Sequence, residues 1–208
     1  MSRYLVNFGD SWARGEGGTE REKYNYSRQL SLLTNRQLID LSMPSASISH
    51  LVLQFQRFIQ EHYQTGNDYL AVFFITAQER QLVFDSQGRP QEVHPRNTVY
   101  QKYYQTMYTD QLGSFTLNTI LMTLQALSKY YGIDDRYLLG WQLPILWTEV
   151  DLTRFYSQAQ ITAMELLGNT DIIECGQNGN LNFIPGDGHP SIAGHTHIAQ
   201  TVYQWIQN

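Results

Sequence analysis

Two short blocks near opposite ends of the chain hold the residues whose types and spacing could do chemistry. The first is Gly9-Asp10-Ser11-Trp12, reached directly after an apolar run through Tyr4, Leu5, Val6 and Phe8. The second is Asp187-Gly188-His189-Pro190, which leads into a segment of helical pattern. A serine hydroxyl is a weak nucleophile until a base takes its proton, and a histidine held by a carboxylate is the common base. Ser11, His189 and Asp187 would supply one of each. Gly-Asp-Ser on its own is weak evidence, since Asp10 and Ser11 could simply cap a helix. Its position after the first strand, together with Asp-x-His-Pro before the last helix, is what raises the catalytic reading.

Such residues need elements to bring them together. The run ending at Phe8 reads as a buried strand, which puts Ser11 just beyond its carboxyl end, where open α/β sheets build their ligand sites. Residues 24–33 read as a short helix and 37–41 as a second strand. A turn at 42–45 precedes a helix, capped by Ser47 or Ser49, whose apolar face carries Ile48, Leu51, Val52, Phe55, Phe58, Ile59 and His62. Residues 68–75 have the continuous apolar character of a central parallel strand. Residues 76–97 read as a long connection of the kind that covers a site. Two helices follow over 98–131, broken near Gly113, with a stripe of Tyr100, Tyr103, Tyr104, Met107 and Tyr108 that reads as core before a sugar platform and is otherwise a candidate rim of the site. Further strands are expected at 137–141 and 171–175, with a helical segment over 155–167 between them. The last helix should turn Ile192, Ala199, Val202 and Ile206 inward. Strands alternating with helices imply one mainly parallel sheet covered on both faces.

A chain of 208 residues with net charge −5 fits a single domain over residues 1–208 with a sizeable core. The charge gives no footprint for nucleic acid or an anionic membrane surface. The single cysteine, Cys175, cannot form an internal disulfide and reads as a packed residue. No apolar run approaches the length of a membrane span and no signal peptide is visible, so the chain reads as soluble.

With Gly9-Asp10-Ser11 after the first strand and Asp187-Gly188-His189-Pro190 before the last helix, the sequence resembles the GDSL/SGNH hydrolase superfamily of esterases and lipases. The resemblance implies a flavodoxin-like three-layer α/β/α sandwich, here with a mainly parallel five-stranded sheet. It also implies an ester hydrolase working through an acyl-enzyme on Ser11, with His189 as base, Asp187 orienting it, and no cofactor. An oxyanion hole would be shared by the N–H of Ser11, a backbone N–H after the second strand and an amide side chain after the third. Ser45 stands where the family has glycine. Thr76-Ala77-Gln78-Glu79 stands where it has Gly-x-Asn-Asp, so Gln78 would replace the asparagine. Small acyl esters of carbohydrate or lipid are the implied substrates.

Rival readings come from the same residues. Glu92-Val93-His94-Pro95 repeats the acid-x-His-Pro pattern, but only the later copy leads directly into an amphipathic helix. His189, His195 and His197 with Asp187 suggest a metal site, yet positions 195 and 197 point to different sides of a helix, and His195 reads as a hydrogen-bonded core residue. No metal is implied. His50 and His62 have no visible partner. Trp12 and Arg80 are candidate substrate contacts, Trp12 either lining an acyl pocket or packing beneath it. No Gly-x-Ser-x-Gly elbow is present, which disfavours the α/β-hydrolase family. An O-acyltransferase with the same triad, or a carbohydrate-binding module on a decayed hydrolase fold, are the competing functions.

Overall fold

Consecutive residues of the first and third strands are apolar on both sides, so both faces of the sheet must be covered, and they are. A computed structural model of the chain describes residues 1–17, 24–96, 98–140, 144–168, 180–185 and 187–208. Its central sheet is parallel, in the order β2 (Gln37–Asp40), β1 (Arg3–Phe8), β3 (Asp68–Ile75), β6 (Asp134–Leu139). Val6 and Phe8 of β1 with Tyr69, Ala71, Phe73 and Ile75 of β3 face one layer. Leu5, Leu70, Val72 and Phe74 face the other. This is the period-two alternation of a strand buried on both sides.

The first layer is made by α3 (His50–Glu61) and α5 (Asp110–Tyr131), which bring Leu51, Phe55, Phe58, Leu117, Leu121 and Leu124 to the sheet. Phe8 stacks on Phe73 at 4.6 Å between centroids, and Phe73 on Tyr137 at 5.0 Å. The second layer is made by α1 (Ser11–Arg14), α2 (Tyr26–Thr34), α6 (Ala163–Leu166) and α7 (Ile192–Gln207). The sheet with helices on both faces is the three-layer α/β architecture expected from the sequence. No helix among the described residues is long and apolar enough to cross a membrane.

Several local expectations need correction. Residues 76–97 are not an irregular cover: Gln81–Phe84 (β4) and Pro90–Val93 (β5) pair as an antiparallel hairpin, closed by Asp85, which accepts from the N–H groups of Gln87 and Arg89. The helices of residues 98–131 separate at Met107–Thr109, between α4 (Gln101–Thr106) and α5, because Thr109 caps α5 by accepting from the Leu112 N–H. Gly113 lies inside α5, where an added Cβ would come within 2.3 Å of the Tyr108 hydroxyl, so it is a packing glycine and not a break. The aromatic stripe is no core element, since α4 buries no residue fully. β6 begins three residues early. Its charged start hid it, with Asp134 paired to Arg136 and Asp135 to Arg154 at 2.8 Å. Residues 155–167 hold a 3-10 turn at Tyr156–Ala159 and a single α-helical turn at Ala163–Leu166 rather than one helix. Ile192 opens α7 on the solvent side, at 52% exposure. The fifth strand expected at 171–175, with Cys175, lies outside the described residues.

Candidate active site

β1 ends at Phe8, and Gly9 turns the chain at φ 148°. An added Cβ there would lie 2.7 Å from Ala13 Cβ and 2.8 Å from Phe74 Cβ, so only glycine allows α1 to fold back over β3. The Gly9 backbone is gripped by the buried Gln54 side chain of α3, whose Oε1 accepts from the Gly9 N–H at 3.0 Å while its Nε2 donates to the Gly9 carbonyl at 3.1 Å. The Met43 N–H donates to the same carbonyl at 3.0 Å. Thus the loop after β2 is fastened to the turn that carries Ser11.

Asp10 caps α1, accepting from the Trp12 N–H at 3.0 Å. Its carboxylate is fully buried. Oδ2 accepts from Thr76 Oγ1 and pairs with Arg80, both at 3.0 Å. Burial pushes the Asp10 carboxyl above its ordinary value, with Arg80 and these hydrogen bonds pulling the other way. The loop after β3 is thereby tied to the loop after β1. In this strand order those two loops flank the topological switch point, the usual ligand crevice of an open α/β sheet. Ser11 stands at that point, partly exposed, as the first residue of α1.

The second block is built as a tight loop. Phe183 bridges to Pro190, and the Ser191 N–H donates to the Asn182 carbonyl at 2.8 Å. Within this closure the Ile184 N–H donates to the His189 carbonyl and the Asp187 N–H to the Ile184 carbonyl. Gly188 supplies the left-handed residue at φ 81°. Asp187 Oδ1 meets His189 Nδ1 at 2.6 Å, which leaves Nε2 as the nitrogen able to accept a proton. Gly194 lets α7 press onto this loop, since a Cβ there would come within 2.2 Å of the Asn182 carbonyl oxygen.

The two blocks meet. Trp12 packs on Phe183 at 5.9 Å and on Phe74 at 6.2 Å. Gly17, just past α1, lies so close to Asp187 that a Cβ would be 2.4 Å from Oδ2. Among the described residues there is no direct Ser11–His189 hydrogen bond, so the blocks touch at Trp12–Phe183 and Gly17–Asp187. Trp12, at 2% exposure, is packed beneath the turn and is no open pocket wall. Arg80 is committed to Asp10.

The expected oxyanion donors have matching features. Ser45 adopts φ 61°, a left-handed conformation natural to glycine and costing other residues about 1 kcal/mol or more. Among the described residues neither the Ser11 nor the Ser45 N–H is used in a hydrogen bond. Gln78 is half-buried, and among the described residues only its backbone carbonyl is engaged, accepting from Gln81 Nε2 at 2.7 Å. A cavity of about 950 Å³ opens on the β2 side, lined by Arg14, Asp40, Ser42 and His50 among others. Its lining includes neither Ser11 nor His189.

No family model matches the chain, and no curated protein matches it by sequence. Solved structures do match. A lipolytic protein of the G-D-S-L family from Veillonella parvula aligns at a TM-score of 0.52 and 11% identity, over 97% of this chain and 96% of that one. Axe2, an acetylxylan esterase from Geobacillus stearothermophilus, aligns at 0.54 and 12%, over 99% and 94%. A putative lipolytic protein of the G-D-S-L family from Desulfitobacterium hafniense aligns at 0.51 and 11%, over 98% and 99%. The fold is that of the GDSL/SGNH proteins.

Within this GDSL fold, parts of the site escaped sequence reasoning. Gln54 is one, although a polar residue on the apolar stripe of Leu51, Phe55 and Phe58 was a usable signal. Asn7 is another. It faces α2 from β1, donates to Asp40 Oδ1 at 2.9 Å and to the Ala13 carbonyl at 3.3 Å, and accepts from the Tyr26 hydroxyl. His50 has a partner after all, Glu92 at 2.5 Å. That takes the acid of the earlier acid-x-His-Pro copy away from His94, whose Nδ1 instead accepts from the Arg96 N–H. His195 is buried as expected, but among the described residues neither ring nitrogen is hydrogen-bonded. Burial, then the nearby His189, holds its pKa down at about 4.

Proposed function

We propose that the protein is a serine ester hydrolase that acts through an acyl-enzyme on Ser11, on small acyl esters of carbohydrate or lipid. The observation that carries this is the Asp187–His189 pair at 2.6 Å, set against the end of the Ser11 turn through Gly17. Ser11 itself follows β1 at the switch point of the sheet. The likeness to an acetylxylan esterase, two of whose solved forms are catalytic mutants with a serine and an aspartate replaced by alanine, supports the same assignment of roles.

In the first step Ser11 Oγ attacks the ester carbonyl carbon while His189 Nε2 takes the hydroxyl proton. Asp187 holds the ring in the tautomer with its proton on Nδ1 and stabilises the imidazolium. The carbonyl π pair moves onto oxygen, and the N–H groups of Ser11 and Ser45 with the Gln78 amide donate to it. Collapse breaks the bond to the leaving oxygen, which takes the proton from His189, and the alcohol departs. Water, deprotonated by His189, then attacks the acyl-enzyme carbon and returns Ser11 with release of the acid. Each half-reaction begins and ends with neutral His189.

Turnover of p-nitrophenyl acetate tests the proposal. Ser11→Ala and His189→Ala should each abolish it with nearly unchanged thermal stability, and a fluorophosphonate should label the intact protein only at Ser11. Near-wild-type turnover by folded Ser11→Ala would overturn the assignment, and an equal loss in His94→Ala would return the base to the earlier copy. Adding a sugar alcohol as acceptor separates hydrolysis from acyl transfer by product.

A further inference from the structure

The β4–β5 hairpin, inserted between β3 and α4, carries Glu92 to the loop that follows β2. Glu92 Oε2 accepts from the Ser47 N–H at 2.9 Å, and Oε1 meets His50 Nδ1 at 2.5 Å. Both side chains are largely buried, at 14% exposure for His50 and 15% for Glu92. The hairpin is itself held, because the Tyr104 hydroxyl lies 2.6 Å from the Glu79 carbonyl and 2.9 Å from that of Val93, the neighbour of Glu92. At its other end the loop is fastened by the Met43 N–H to the Gly9 carbonyl, two residues before Ser11. The Ala46 N–H closes a turn onto the Met43 carbonyl at 3.2 Å. Ser45 sits inside that turn, between the two fastenings, at φ 61°.

A serine left to itself relaxes out of the left-handed region, and doing so swings its N–H to a new direction. Two fixed ends are what keep it there. We infer that Glu92 is a positioning residue for the oxyanion hole: by binding the Ser47 N–H and His50 it locks the loop and so fixes the direction of the Ser45 N–H, the donor proposed above. This inference rests on the esterase reading above and adds to it the role of the inserted hairpin. It also accounts for a serine where the resembled proteins have glycine, since the hairpin's grip offsets the steric cost of a left-handed serine that glycine does not incur.

The test is a set of variants, Glu92→Ala, Glu92→Gln, Ser45→Gly and the Glu92→Ala/Ser45→Gly pair, assayed with p-nitrophenyl acetate and by amide hydrogen exchange. Glu92→Ala should lower kcat roughly 10- to 100-fold, the scale of a misdirected oxyanion donor, with KM changed less than about threefold because the donor acts on charge present in the transition state. Glu92→Gln keeps an acceptor for the Ser47 N–H and should retain most of kcat. Ser45→Gly in the Glu92→Ala background should recover at least about threefold in kcat, because glycine enters the left-handed region without the steric cost that drives serine out of it. A purely structural Glu92 gives no such rescue. Glu92→Ala within twofold of wild-type kcat, or no recovery in the pair, overturns the inference. Should the intact protein show no Ser11-dependent turnover, the esterase reading fails separately. Exchange at Ala46 and Ser47 then decides the tether, with faster exchange in Glu92→Ala supporting it and unchanged exchange overturning it.

Discussion

Replacing Arg80 by methionine isolates the buried charge beside the nucleophile turn. Asp10 is fully buried, and Arg80, at 23% side-chain exposure, is its ion-pair partner. Removing one partner of a buried pair costs about 3–5 kcal/mol. Here the cost falls below that range, because Arg80 is partly solvated and Asp10 keeps the Thr76 hydroxyl and the Trp12 N–H, so about 2–3 kcal/mol is expected. For a domain of this size that corresponds to a fall in Tm of roughly 5–10 °C. The pH dependence identifies the cause. Burial already raises the Asp10 carboxyl above its ordinary value, and losing the guanidinium raises it further. A carboxyl raised in the folded state favours folding below its unfolded value, and that contribution is lost as pH rises through the folded value. The deficit of Arg80→Met should therefore be largest at neutral pH and shrink on acidification. Urea unfolding at pH 7 and pH 4.5 reads both quantities. A deficit under about 1 kcal/mol at pH 7, or one equal at the two pH values, refutes the assignment of this charge pair.

Three further outcomes are expected. Gly17→Ala places a Cβ 2.4 Å from Asp187 Oδ2 and should cost at least about tenfold in kcat by shifting the carboxylate from His189; turnover within twofold of wild type contradicts this. His195→Leu should flatten the acid side of the stability curve, because a ring held at about 4 against an ordinary 6.5 favours the fold above the unfolded value and loses up to about 3 kcal/mol as pH falls toward 4. An unchanged acid slope in urea unfolding removes His195 as the cause. Gln78→Ala should lower kcat by roughly 10²–10³-fold with little change in binding, and Gln78→Glu at least as much; if both keep more than about a third of kcat, the amide is not in the hole.

The strands that carry the site were legible because their burial is written into composition. Residues 68–75 are apolar on both sides, and the strand forms over Asp68–Ile75 as read. β6 was legible only in part, since its start is charged, with Asp134 paired to Arg136 and Asp135 to Arg154. The hairpin was missed because its strands are short and half-exposed, with no apolar alternation to show them. Both chemical blocks could be read as motifs. What fastens the Ser11 turn and the loop after β2 to the rest of the fold could not, because Gln54 to Gly9, Asp10 to Arg80 and Glu92 to Ser47 are contacts between residues 45 to 70 apart in sequence. No local pattern encodes such pairs.

The contact of Trp12 with Phe183 also bears on how the protein is made. A ribosome delivers the N-terminal turn first, and the described sheet is complete in sequence once Leu139 has emerged. The partner ring and the Asp187–His189 loop arrive only after residues 183–189 are synthesised. A nascent chain halted before residue 183 can pair its strands, yet it leaves the indole without Phe183 and Ser11 without the histidine proposed as its base. In the proposed esterase, hydrolysis would wait for Asp187 and His189 to emerge, so a chain arrested before them would carry Ser11 without the pair proposed to activate it.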